Sequence, residues 1–252
     1  MPEATSQTIR NAFRYWWRQQ KNSKGTLAAG CLLLAELWGF LRDSTPERRR
    51  SRYGDMDYDW EHHVNTTGGA LSWRERLLGI FNSPYQPTDP AAFAGMMAAL
   101  PIDFRHYTFI DIGSGKGRTL LMASEYPFPK IVGVEILPDL HRATLENIAA
   151  YRAHTPAAGP AAIESICIDA RQFIFPETPL VVYLFNPLPE PGLREMIHNL
   201  EHSWKQSPRP IWIVYHNPVL ESVVSAPWLL ARTAATPQFS VYRSPEPSEH
   251  EC

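Results

Sequence analysis

Cysteine is scarce in this chain: Cys31, Cys167 and Cys252 stand far apart among 252 residues. No C-x-x-C and no paired histidine accompanies them, so no zinc spacing is expected, no metal site either, and the usage fits a reducing compartment. Net charge is nearly absent too, about -2 at pH 7, which leaves no general attraction to nucleic acid. Internal repeats and long low-complexity tracts are missing. The apolar run Leu27 to Leu41 falls short of the ~20 residues that span a bilayer, and Glu36 interrupts it. What remains is ordinary for a globular protein, 44% apolar and 20% charged, and long enough for one large domain with an accessory segment.

The stretch that organises the chain is Thr108 to Leu121, TFIDIGSGKGRTLL. A short β-branched and aromatic run closed by glycine reads as a buried parallel strand. Gly113, Gly115 and Gly117 then supply the unusual backbone angles of a tight strand-to-helix turn, against which a ligand can lie directly on main chain. That is a nucleotide-type cofactor site. A dinucleotide fingerprint needs G-x-G-x-x-G; here the pattern is Asp111-x-Gly113-x-Gly115-x-Gly117. Lys130 to Glu135 (KIVGVE) forms a second strand ending in an acid, placed to bind ribose in either kind of cofactor. Ala162 to Asp169 and Leu180 to Phe185 read as third and fourth strands, the latter running into Asn186-Pro187-Leu188-Pro189.

These four signals, in this order, resemble the class I, seven-strand S-adenosylmethionine-dependent methyltransferases. The resemblance implies a doubly wound, Rossmann-like α/β sheet, mostly parallel with an antiparallel C-terminal hairpin, and S-adenosyl-L-methionine as cofactor. It implies that the three glycines admit the methionine part and that Asp111 and Ser114 hold its amino and carboxylate groups. Glu135 would bind ribose, Ile136 would pack on adenine, and Asp169 with the Ala170 N–H would read the adenine edge. Asn186, at the fourth strand's tip, would orient a nitrogen acceptor, with Pro187 stiffening the tip. Tyr85-x-x-Thr88 ahead of a helix, with FIDIGSGKG and VGVE, also resembles the disruptor-of-telomeric-silencing class of histone lysine methyltransferases, which makes Tyr85 and Thr88 candidates for closing over the methionine carboxylate. Asn186-Pro187-Leu188 departs from that class, and no lysine-rich tail follows. Histones are therefore not the expected substrate; the nearest match is a group of uncharacterised bacterial class I methyltransferases with GSGKGR and FNP motifs.

Along the chain, residues 1–85 read as an N-terminal helical and loop segment, 86–243 as the methyltransferase domain and 244–252 as a disordered tail. The basic aromatic stretch RNAFRYWWRQQKNSKG and the apolar run after it are expected to be helices packing on the core or on a second subunit, as in a homodimer, with peripheral membrane contact through residues 10–41 as the alternative. The same pattern imitates a signal peptide, but an enzyme of a cytosolic cofactor has no use for one, and a cytoplasmic location is expected. Asp43 to Arg52 is a charged connector, and Tyr53 to Gly69 lacks periodicity and reads as a loop. His62 and His63 are adjacent, which points their side chains apart. Trp73 to Ile80, Ala91 to Leu100, Pro138 to Tyr151 and Gly192 to Trp204 read as helices, Pro210 to His216 as a fifth strand, and Leu229 to Thr233 with Phe239 to Arg243 as the closing hairpin. Trp60, His62, Tyr215 and His216 either line an acceptor pocket or belong to the core. The competing functions are a small-molecule O-methyltransferase, a module that binds the cofactor without methyl transfer and, on fold analogy alone, a nicotinamide-dependent oxidoreductase. The acceptor itself, protein or small molecule, is not legible.

Overall fold

The computed structural model describes residues 13–14, 16–42, 56–67, 86–155, 162–225 and 231–245. The expected helix Trp73 to Ile80, the connector 43–52, Tyr85, and all but the first two residues of the tail lie outside them. The chain forms two compact units, Met1–Asp57 with Thr67–Pro87, and Tyr58–Thr66 with Thr88–Cys252. The first contains α1, Thr26–Arg42, preceded by helical residues 16–24. In the second, the helices are α2 (Met56–His62, whose first two residues fall in the other unit), α3 (Pro90–Ala98), α4 (Arg118–Ala123), α5 (Pro138–His154), α6 (Glu190–Gln206) and α7 (Glu221–Val224).

Seven strands make one sheet in the second unit: β1 (Thr108–Ile112), β2 (Lys130–Glu135), β3 (Ala162–Cys167), β4 (Leu180–Leu184), β5 (Ile211–His216), β6 (Ala231–Ala235) and β7 (Phe239–Arg243). Their order is β3-β2-β1-β4-β5-β7-β6. The first five are mutually parallel, and β7 runs antiparallel between β5 and β6. This is the class I seven-strand fold. The order reverses between β1 and β4, so the crevice for a ligand opens at the carboxyl ends of those strands.

Continuous apolar runs make the central strands because both faces are covered. Successive side chains alternate, so Ile110, Ile112, Val182, Leu184, Ile213 and Tyr215 join one core. Phe109, Val181, Tyr183, Trp212 and Val214 join the other, with Phe93, Met96 and Met97 of α3 and Leu120 of α4. On the first face α6 lays down Leu193, Met196, Ile197 and Leu200 at helical spacing. Asp89 caps α3, accepting a hydrogen bond from the Ala92 N–H at 2.8 Å, a device worth about 1 kcal/mol.

Two sequence expectations change. Met56–His62 is helical rather than loop: its buried face is carried by Tyr58 and Asp59, not by aliphatics, and Tyr58 stacks on His62 one turn later at 4.2 Å. An aromatic and acidic face leaves no aliphatic period to read. The third strand ends at Cys167, short of Asp169, because the Asp169 side chain accepts the Arg171 N–H and starts a 3-10 turn, Ala170–Gln172.

Candidate functional site

β1 runs straight into the glycine turn. Gly113, Gly115 and Gly117 all adopt positive φ, 80°, 57° and 82°, as the alternate-glycine pattern predicts. At Gly113 a Cβ would come within 2.7 Å of Pro187 Cβ, and at Gly117 within 2.7 Å of Thr144 Cγ2, so the turn is held closely by the fourth-strand tip and by α5. The Thr144 hydroxyl donates to the Gly115 carbonyl at 2.8 Å. Gly113 and Ser114 N–H groups donate to Val134 O at 2.8 and 3.1 Å, tying the turn to β2.

Two buried carboxylates face this turn. Glu135 closes β2, and its Oε2 accepts the Gly115 N–H at 2.9 Å while Oε1 accepts the Leu137 N–H at 2.8 Å. Asp111 is buried in β1 and accepts a hydrogen bond from the Thr119 hydroxyl. Burial, reinforced by the Glu135 charge and opposed by that hydroxyl, pushes the Asp111 carboxyl up to about 7. The Ser114 hydroxyl is buried with no hydrogen-bond partner. Such a group awaits a ligand or carries the full desolvation cost. In a dinucleotide site the turn's N–H groups point at a pyrophosphate; here the central one is turned to an acid.

The other expected residues are placed as follows. Ile136, at the β2 tip, is 43% exposed, an apolar surface at the mouth. Asp169 forks onto Arg171 through both oxygens; burial pushes its carboxyl up, but Arg171 outweighs this and holds it below the ordinary range. Ala170 is buried beside it. Thr88 turns inward, its hydroxyl 2.7 Å from the Tyr183 hydroxyl. Asn186 sits in the left-handed region, φ 46°. Its Nδ2 donates to Asn217 O at 2.8 Å and its Oδ1 accepts from the Tyr215 hydroxyl at 2.8 Å, which fixes the amide's orientation across the β4 and β5 tips. Tyr215 is therefore core, with only its hydroxyl at the tip. Trp60 is exposed, and His62 stacks between Tyr58 and Tyr151.

Two groupings were not singled out in the sequence. The first is a polar relay at the carboxyl end of β4 and β5, where the Tyr183 hydroxyl bridges Thr88 Oγ1 and His216 Nδ1, the latter at 2.8 Å. Tyr183 pairs with Asp111 across the sheet, and His216 lies against Phe185 at 4.1 Å. Burial lowers the His216 pKa, with Asp89 opposing, and burial raises that of Tyr183. The second is a clamp on the glycine turn. Arg118, 2% exposed, donates from Nε to Thr66 Oγ1 at 2.6 Å and from Nη2 to Asp59 Oδ1 at 3.2 Å. Asn147 Nδ2 donates to Lys116 O at 3.0 Å and to Asn65 O at 3.1 Å. The partners lie about fifty to eighty residues away along the chain, beyond any local pattern; the available signal was an arginine directly after the third glycine.

The sequence matches no protein-family model and no curated protein. Solved structures similar to it include an RNA methyltransferase from Salinibacter ruber in complex with S-adenosyl-L-homocysteine, 22% identical over 66% of this chain and 96% of that one, TM-score 0.43. Another is precorrin-6y C5,15-methyltransferase from Geobacter metallireducens, 14% identical over 66% and 93%, TM-score 0.47. A third is a ribosomal protein L11 methylase from Lactobacillus delbrueckii, 14% identical over 62% and 76%, TM-score 0.40. Likenesses of this size do not carry over any substrate. Strand order and site geometry have to carry the functional argument.

Proposed function

We propose that this chain is an S-adenosylmethionine-dependent methyltransferase acting on a nitrogen acceptor in a protein side chain or small molecule. The observation that carries the reading is the Gly115 N–H bonded to Glu135, with buried Asp111 in β1 just ahead of the turn. The Gly115 N–H, given to Glu135, is not offered to a pyrophosphate, and an acid just ahead of the turn favours a ligand bearing an ammonium.

Asp111 would take the ligand's ammonium, which returns its carboxyl to the ionised form, and the Ser114 hydroxyl, packed beside Gly133 of β2, would meet the carboxylate only by turning outward. Glu135, at the β2 tip beside the turn, would bind the ribose hydroxyls. Ile136 would pack on the base, and Asp169 would read its edge with the lone pairs Arg171 leaves. When bound, the cofactor supplies an electrophilic methyl group. The chain's own work is then to hold an acceptor in line and dry, and to remove a proton. Asn186 Oδ1 keeps a second lone pair beside the one given to Tyr215, and that lone pair orients an acceptor N–H. With His216 Nδ1–H donating to Tyr183, and Tyr183 to Thr88, Nε2 carries the lone pair that accepts the acceptor's proton; the electrons of the broken bond stay on the acceptor atom. This relay also favours a second reading, a hydroxyl acceptor, because a hydroxyl must lose its proton as it reacts.

The test is incubation of the purified protein with methyl-labelled S-adenosylmethionine and host lysate separated into protein, RNA and small-molecule fractions. Label in the protein or small-molecule fraction supports the reading, and label in RNA alone would contradict its acceptor class. Label bound as cofactor with no fraction methylated would reduce the protein to a binding module.

A further inference from the structure

Outside the sheet unit, α1 exposes an uninterrupted apolar stripe. Leu27, Cys31, Leu34 and Trp38 recur at four- and three-residue steps, which places them on one helix face. Leu27 is 90%, Leu34 68% and Trp38 70% exposed, while Ala29, on the opposite side, is buried. Just ahead, Arg14, Arg18, Lys21 and Lys24 are all exposed. Across residues 13–42 five basic residues, the fifth being Arg42, face one acid, Glu36, although the whole chain is slightly acidic. Among the described residues no helix is long and apolar enough to cross a membrane.

We infer that this segment seats the protein on an anionic phospholipid surface. Leu27, Leu34 and Trp38 enter the boundary between headgroups and acyl chains, and Arg14, Arg18, Lys21 and Lys24 meet lipid phosphates. Charge decides between this occupant and a second copy. Two-fold pairing through the stripe sets the same segment, with Glu36 as its one acid, against itself and offers the basic cluster almost no counter-charge, whereas a negative bilayer attracts both the charge and the apolar face.

The test uses the full chain and phosphatidylcholine vesicles with or without phosphatidylglycerol, read by co-sedimentation. The expected result is capture by the anionic vesicles, at least about tenfold weaker without the anionic lipid and weakened by salt. The double variants Leu34→Glu/Trp38→Glu and Arg18→Glu/Lys21→Glu change exposed side chains. Each is expected to lose about tenfold or more in vesicle affinity, with an unchanged circular dichroism spectrum and melting temperature. A wild-type protein that stays in the supernatant, or variants that bind like it, would overturn the inference. So would a dimer in sedimentation velocity that Leu34→Glu/Trp38→Glu dissociates, since the stripe would then belong to a second copy.

Discussion

Replacing Asp59 by alanine tests whether the glycine turn is clamped from outside its own motif. In the native fold, Asp59 Oδ2 accepts the Thr66 N–H at 2.8 Å, Oδ1 accepts the Thr66 hydroxyl, and Arg118 Nη2 reaches Oδ1 at 3.2 Å. Arg118 is buried. Removing the carboxylate takes a charged partner from a desolvated guanidinium, a change that costs about 3–5 kcal/mol, mainly the penalty for burying a less compensated charge. Against a total stability of about 5–15 kcal/mol, that lowers the melting temperature by roughly 10 °C in a domain of this size. Because Arg118 opens α4 directly after Gly117, affinity for S-adenosylhomocysteine should fall as well. Denaturant unfolding and scanning calorimetry give the first number, titration calorimetry the second. Arg194→Ala, which breaks a solvent-exposed pair with Glu190 one helical turn away, is the control and should leave melting nearly unchanged. If Asp59→Ala melts with the wild type, the clamp does not hold the turn.

Further outcomes follow from the same geometry. Asp111, with its carboxyl near 7 rather than the ordinary 3.8, binds more protons folded than unfolded between about pH 4 and 7. Apo stability should therefore decline as pH rises through that window, by up to about 4 kcal/mol. Asp111→Asn should flatten the profile, stabilise the apo protein at pH 8 and weaken S-adenosylhomocysteine binding; a steep profile that survives the substitution would contradict this. Gly113→Ala places a Cβ 2.7 Å from Pro187 Cβ on a backbone of φ 80°, so it should destabilise by about 2 kcal/mol or more. Gly95→Ala, in α3 with nothing within 4 Å, should instead stabilise by up to about 1 kcal/mol, and equal unfolding midpoints for the two would refute the close-approach argument. His216→Gln should lower turnover of the labelled acceptor about 10²–10⁴-fold with cofactor affinity and melting unchanged; unaffected turnover would remove His216 from proton transfer.

Much of the sheet could be read directly because its strands are fully covered. TFIDI, KIVGVE, LVVYL and IWIVYH are short apolar runs with their ends marked by glycine, acid, asparagine or proline. The glycine turn was legible for a steric reason, its backbone angles being open to few other residues. The clamp was not, since Asp59, Asn65 and Thr66 act through pairing with residues far along the chain, and a polar segment with no apolar period looks like a loop. The relay was hidden differently. Thr88 and His216 were each candidates in the sequence, but Tyr183 sits inside an apolar strand where an aromatic reads as core filling, and only the register of β4 on β5 brings the polar atoms together. Asn186 could be found as a strand-tip residue, but its amide is set by Tyr215 on the neighbouring strand and by Asn217 just past its end.

Titration calorimetry of the wild-type protein with S-adenosylhomocysteine, run beside NAD, tests the central claim most directly. One-to-one binding of the nucleoside, competed by S-adenosylmethionine and weakened by Glu135→Ala, with no heat from NAD, is the predicted result. No uptake of S-adenosylhomocysteine, or preferential binding of NAD, would contradict the assignment of an acid-backed glycine turn to a sulfonium cofactor.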